Sequence, residues 1–303
     1  MKKNMKKVKL NVKIDEWLKY VGSSVKISTY SYYYNVVDKH IKKKIGHMKI
    51  KSLNEFVINN YINSLYTECN IKDSTIRQIV IILKQIFKFC KIDLEIQLPK
   101  VKKRKITVLS EADKKKIKDY LYKNIKEETV GILLSMQLGL RIGEVCALKW
   151  KNIDLENGYM YIENTVERVK NFDNFDKRKT KLVLIKAKTD NSVRTLPLSD
   201  RLITILKKIN CERNDNYFLL TSSEKIADPR SYYNHYQKIL RICNVENNYH
   251  TLRHTFATDC VDFGINAKAL SNILGHSDIK TTLTLYVHPS IKRTKQFLND
   301  NIF

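Results

Sequence analysis

The chain has 303 residues, 43% of them hydrophobic and 29% charged, which fits a globular protein with two cores and excludes a disordered or fibrous one. Its 56 Lys and Arg against 31 Asp and Glu leave a formal charge of +25, pointing to a polyanionic partner, nucleic acid before a membrane surface. The longest apolar run, Ile79 to Leu83, is far too short to span a bilayer, and the six cysteines form no C-x-x-C pair, so a cytoplasmic protein with reduced thiols is expected.

The charge is uneven: residues 1–105 carry 24 Lys and Arg against 8 Asp and Glu. Residues 1–10 read as a basic tail, either solvated or in transient contact with phosphates. Ile14, Trp17, Leu18 and Val21 repeat at helical spacing. A second helix begins at Ser28 and carries the run Tyr30, Tyr32, Tyr33 and Tyr34, whose rings divide between a core and its rim; base stacking is the alternative. Leu53 to Leu65 is a third helix. Ser74 caps a fourth that runs to about Cys90 and buries Ile79, Leu83, Ile86 and Phe87. These elements make a compact helical domain, residues 1–98. Pro99 followed by Lys100, Lys102, Lys103, Arg104 and Lys105 marks a linker, 99–106, read as a strap along a DNA backbone rather than a solvated loop.

A second domain spans 107–303. Ser110 and Asp113 look like the start of a helix that runs to about Lys123. Val130 to Leu138 is a buried helix broken by Gly139, after which Ile142 to Leu148 resumes a helical pattern. Three strands are expected, at Tyr159–Ile162, Lys181–Ile185 and Val193–Leu196, the last two forming a hairpin that carries Lys188 at its turn. Beyond Leu202 the chain reads as mostly helical. The fold class is therefore mainly α with a small antiparallel β-sheet, a helical N-terminal domain followed by a mixed C-terminal one.

The chemistry concentrates near the end. His250 and Arg253 stand three apart on a helix, so both face one way. A guanidinium grips two phosphate oxygens in a fork, and an imidazole beside it moves protons near neutral pH. His250 and His254 also have a metal-ligand spacing. No acid stands between them as in H-E-x-x-H, however, and Arg253 repels a cation, so no metal is expected. Gly275 ends a helix just before His276, and Tyr286 follows ten residues later. Taken singly, Arg141, Lys188, His276 and Tyr286 read as a helix-end charge, a surface lysine, a structural histidine and one tyrosine among 17.

Their order changes that reading. Gly139-Leu140-Arg141-Ile142-Gly143-Glu144 is followed by Lys188-Thr189, then Val193-Arg194-Thr195-Leu196-Pro197-Leu198. After these come His250-Thr251-Leu252-Arg253-His254, Leu274-Gly275-His276-Ser277-Asp278, Thr281-Thr282 and Tyr286-Val287-His288. This set resembles the tyrosine recombinases, the phage-integrase family, over about residues 107–290. The resemblance implies that Tyr286 attacks a scissile DNA phosphate to give a 3′-phosphotyrosine and a free 5′-hydroxyl. It implies Arg141 and Arg253 on the non-bridging oxygens, Lys188 as general acid for the leaving 5′-oxygen, His250 as acid/base on the tyrosine and His276 as a donor to the phosphate. Glu144 is expected to brace the Arg141 region. The implied chemistry needs no metal and no ATP, and no P-loop motif occurs.

The expected partners are double-stranded DNA attachment sites, with a homotetramer on two such sites and an accessory DNA-bending or directionality factor in addition. Apolar residues in the tail (Ile291, Phe297, Leu298 and Phe303) are expected to dock either on a neighbouring protomer or back on their own domain. The ten-residue spacing from His276 to Tyr286 and the Lys- and Asn-rich composition favour integration and excision of a mobile element of an AT-rich bacterium or its phage. A chromosome-dimer-resolving recombinase and a type IB topoisomerase-like enzyme share the chemistry. A non-catalytic DNA-binding protein on the same fold is the rival from another class. A membrane-surface protein has only the charge in its favour and lacks a basic amphipathic helix with a broad apolar face.

Overall fold

The structure, a computed structural model, describes residues 8–101, 106–173, 178–186, 193–209 and 214–286. It is mainly helical with small β-sheets. The chain divides into two compact units, Met1–Arg104 with Val169–Thr180, and Lys105–Arg168 with Lys181–Phe303.

The first unit is built on four helices, α1 (Leu10–Gly22), α2 (Ile27–Val36), α3 (Glu55–Thr67) and α4 (Asp73–Phe89). Helices α1, α3 and α4 each bury apolar residues at helical spacing, from Leu10, Ile14, Trp17, Leu18 and Val21 of α1 to Ile79, Leu83, Ile86 and Phe87 of α4, whereas Ser31 is the one buried residue of α2. Val80 and Ile82 are buried as well, so the apolar face of α4 is wider than the expected stripe. The cap of α4 differs from expectation. The helix begins at Asp73 after an extended Lys72, and Ser74 lies inside its first turn. An acidic Asp73 at the start complements the helix dipole without a side-chain cap. Asn54 does cap α3, accepting from Val57 N–H at 2.9 Å. The α2 helix runs on into a π-helical turn, Val37–Lys42, that puts Val37 and Ile41 into the core.

The tyrosine run divides as expected. Tyr30, Tyr33 and Tyr34 are half-buried against the core, whereas Tyr32 is exposed. Phe172 packs on Tyr30 and Tyr34, with ring centres 5.0 and 5.3 Å apart. Lys170 N–H donates to Ser31 Oγ at 2.7 Å, and its ammonium lies 4.2 Å from the centre of the Tyr34 ring. These contacts group residues 169–180 with the helical unit, although their place in the chain is inside the second domain.

The second unit is built around α6 (Glu127–Leu138), which follows α5 (Glu111–Lys123) and precedes α7 (Ile142–Ala147). Ser110 caps α5 as expected, accepting from Asp113 N–H at 3.1 Å. Every residue of α6 from Thr129 to Ser135 is buried, which is why its sequence lacks a polar stripe. Gly139 ends α6 at φ +65°, and a Cβ there would stand 2.6 Å from the Phe256 ring.

Strands β1 (Ile153–Asp154), β2 (Tyr159–Ile162) and β5 (Arg194–Pro197) form one antiparallel sheet in the order β1-β2-β5. Strands β3 (Asn164–Lys170) and β4 (Thr180–Lys186) form a separate pair. This corrects the expected hairpin between the two later strands. Thr180–Lys186 pairs with an unforeseen strand on its N-terminal side, and Arg194–Pro197 pairs with β2, placing Met160 opposite Leu196 and Ile162 opposite Arg194. The helices α8 (Asp200–Ile209), α9 (Pro229–Ile242), α10 (His250–Asp262), α11 (Ala267–Leu274) and α12 (Ile279–Tyr286) complete the unit.

The five cysteines among the described residues are unpaired. No helix among those residues is long and apolar enough to cross a membrane. The basic residues 102–105 of the expected strap and the expected docking tail at 287–303 lie outside the described residues.

Candidate active site

The site forms where three helix ends meet. Helix α6 ends at Gly139, α7 begins just after Arg141, and α11 ends at Gly275, which adopts φ +64°. The closing turn of α11 uses His276 N–H to Ser271 O and Gly275 N–H to Asn272 O, both at 3.0 Å. The last carbonyls of a helix have no partner within it and carry its negative end. Here guanidiniums take them. Arg253 Nη2 donates to Leu274 O at 2.6 Å. Arg141 donates to Leu274 O at 3.3 Å and to Gly275 O at 3.4 Å. Arg194 Nε donates to Ile273 O at 2.6 Å.

Arg253 is 1% exposed, and its Nη1 reaches across to Gly139 O at 2.8 Å. The helix-breaking Gly139 therefore supplies the second carbonyl that sets this guanidinium. Arg141 is more open, at 38% of its side chain. Its Nη1 donates to Glu144 Oε1 at 2.7 Å, and its backbone N–H donates to Glu144 Oε2 at 2.9 Å. Glu144 is buried and braces this corner, as expected from sequence. Burial alone would raise its carboxyl. The hydrogen bonds and charge of Arg194, then Arg141, outweigh that and hold its pKa at about 2.

His250 opens α10, and its ring meets that of His254 edge-on at 4.6 Å between centres. His276 Nδ1 lies 2.8 Å from the hydroxyl of Thr282, which is fully buried. His250 keeps an open face. Desolvation of the rest, followed by His254, Arg253 and Arg141, nevertheless brings its pKa down to about 4. His276 is lowered to about 4 by desolvation first, then by Arg253, Arg141, Arg194 and His250. Both imidazoles are thus neutral at pH 7, each able to donate from one nitrogen and accept at the other.

This has a consequence for stability. Both folded values lie below the ordinary histidine value of 6.5, so the unfolded chain binds more protons than the native one between them. Their contribution is present above pH 6.5 and is lost as pH falls through about 4. Thermal unfolding of the DNA-free protein between pH 7 and 4.5 is expected to fall more steeply for wild type than for the variant His250→Asn/His276→Asn. Parallel curves would contradict the depressed values.

Of the residues expected from sequence, Arg141, His250, Arg253 and His276 come together around the α11 end. Tyr286 is the last residue of α12, one turn past Thr282. Lys188 lies outside the described residues. Sequence reasoning missed the roles of Arg194 and Thr282. A signal for Arg194 existed, because alternation along β5 puts it on the same buried face as Leu196. A charge at a core-facing position needs an acidic partner.

The phage integrase family model matches residues 100–293, and the model of the N-terminal SAM-like domain of phage integrases matches residues 13–66. The chain belongs to the phage integrase family. It is a tyrosine-type site-specific recombinase. A relative described as a XerC-like tyrosine recombinase, from Caldanaerobacter subterraneus subsp. tengcongensis, is 29% identical over 302 residues, covering 90% of this chain and 77% of that one. The integrase of Staphylococcus phage L54a is 30% identical over 171 residues, covering 52% of this chain and 47% of its own. The fold is similar to that of the Tn1549 transposon integrase, solved in complex with transposon right end DNA. The TM-score is 0.76 at 19% identity, covering 98% of this chain and 100% of that one.

Proposed function

We propose that this recombinase cuts and rejoins double-stranded DNA at attachment sites through a 3′-phosphotyrosine, with Tyr286 as nucleophile. The observation that supports this best is the convergence of Arg141, Arg253, His250 and His276 on the end of α11, with α12 leading from there to Tyr286. The Tyr286 oxygen forms a bond to phosphorus as the bond to the 5′-oxygen breaks. His250, neutral at pH 7, accepts the phenolic proton. Lys188 protonates the leaving 5′-oxygen. Arg141 and Arg253 hold the non-bridging oxygens, where negative charge grows in the transition state, and His276 donates to the same phosphate. Rejoining runs these steps backwards from another 5′-hydroxyl, so the phosphodiester bond energy is conserved and ATP is not consumed.

In this reading the arginines supply the charge that a metal would otherwise supply, and the chemistry proceeds without one. The partners are DNA and further copies of this chain, as a tetramer on two sites in the cytoplasm, with an accessory bending or directionality factor. Likeness to a phage integrase and a transposon integrase supports a role in moving a mobile element. Likeness to a XerC-like recombinase supports the second reading, resolution of chromosome dimers.

Covalent trapping tests the chemistry. The protein is mixed, in EDTA, with nicked duplexes carrying the site that it selects from a random-sequence pool, and run on a denaturing gel. A slow protein–DNA band is expected. Tight binding of the selected site with no covalent band would sink the proposal and favour a non-catalytic DNA-binding protein.

A further inference from the structure

Behind the guanidinium cluster lies an ion pair to which the chemistry above gives no part. Arg194 on β5 has its side chain only 5% exposed. It donates from Nη1 and Nη2 to the two carboxylate oxygens of Glu144, at 3.0 and 2.9 Å. The same carboxylate accepts from Arg141 Nη1 and from the Arg141 backbone. One buried carboxylate therefore faces two guanidiniums, one enclosed and one open.

The charge balance of this trio decides what Arg141 can offer. A carboxylate 2.7 Å from Arg141, acting alone, would cancel most of the positive charge meant for a phosphate. Fork-to-fork pairing with Arg194 satisfies that carboxylate instead. Two guanidiniums and one carboxylate leave one net positive charge, and Arg141 is the member that faces outward. Arg194 acts on a second point too. Its Nε fixes Ile273 O, directly before the Leu274 and Gly275 carbonyls that Arg141 grips and three residues before His276.

We propose that Arg194 is a positioning residue for strand transfer, which neutralises Glu144 so that Arg141 keeps its charge for the scissile phosphate and which fixes the α11 end that carries His276. This rests on the reading of Arg141 given above. Arg194 itself touches no DNA, because it is enclosed by Glu144 and the α11 end.

The test uses the full chain and the nicked duplex selected by the wild-type protein. Covalent-complex formation is timed for wild type, Arg141→Ala, Arg194→Met and Arg194→Met/Glu144→Gln. Arg194→Met is expected to slow trapping by about 10²-fold, the loss typical of one misplaced charge donor. The double variant removes the carboxylate as well, returns the trio to one net positive charge, and is expected to recover at least about tenfold of that loss. A purely structural brace predicts the opposite, since the double variant lacks even more hydrogen bonds. A double variant no faster than Arg194→Met therefore overturns the proposal. Should Arg194→Met alone fail to fold, a folded double variant that traps within about tenfold of wild type supports it, and one that binds but does not trap overturns it.

A methylphosphonate at the scissile position gives an independent readout, because it removes the charge that Arg141 meets. The ratio of wild-type to Arg194→Met rates is expected to shrink towards one on that substrate; an unchanged ratio overturns the charge-balancing role. Failure of the underlying reading looks different. If Arg141→Ala traps like wild type, Arg141 does not serve the phosphate. If Arg141→Ala is inactive while Arg194→Met traps at the wild-type rate, only the positioning role is lost.

Discussion

Tyr286→Phe is expected to abolish the covalent protein–DNA complex while leaving affinity for the selected duplex within a few-fold of wild type. The substitution keeps the ring and the helical propensity and removes only the phenolic oxygen. The main chain at this position is tied to the rest of the site. Tyr286 ends α12 one turn after Thr282, which is fully buried and hydrogen-bonded to His276. A covalent catalyst without its nucleophile loses at least about 10⁴-fold in rate, which here means no visible band. Gel shift and denaturing gel on the same samples check both halves. A band of undiminished intensity would assign the nucleophile to another residue, and peptide mapping of that band would find it.

Arg253→Met is expected to damage stability and rate together. Its guanidinium ties Gly139 O to Leu274 O, and so ties the end of α6 to the end of α11. Losing a charged donor from a buried acceptor costs about 1–3 kcal/mol for each carbonyl, or about 2–6 kcal/mol for both. Because the residue is 1% exposed, solvent screens little of this. In its proposed role Arg253 also sets a positive charge against the phosphate, and losing that charge is expected to cost a further factor of about 10²–10³ in trapping rate. Arg253→Lys keeps a charge, but its compact ammonium does not reproduce the two-armed fork, so it is expected to fall between Met and wild type. Urea unfolding and trapping rates measure the two effects. An unfolding midpoint unchanged from wild type would show that the two carbonyls find other donors.

Much of this was legible in the sequence, and the parts that were not have physical reasons. Helices α1 and α4 announced themselves through apolar residues at helical spacing, and α5 through Ser110 and Asp113. Arg141, His250, Arg253 and His276 were legible as a set from their order along the chain. Strand β3 was not, because its buried residues Val166 and Val169 stand three apart and break the alternation that marks a strand. Missing β3 led to the wrong partner for β4. Arg194 was half legible. Its place beside Leu196 on β5 required an acid, but nothing local pointed to Glu144, 50 positions earlier. The anchors of the arginines at the α11 end were not legible at all, since they are main-chain oxygens.

That last fact bears on how such a site can change over generations. The atoms that aim Arg141, Arg194 and Arg253 at the α11 end belong to residues 273, 274 and 275, yet none of them is a side chain. Every amino acid carries the same oxygen. Drift at Ile273 or Leu274 that preserves the backbone leaves the aim untouched, and no compensating change elsewhere would record it. Gly275 is the exception, because its left-handed backbone sets the directions of those oxygens and most side chains resist that conformation. The framework of the site is heritable mainly as a bend in the chain.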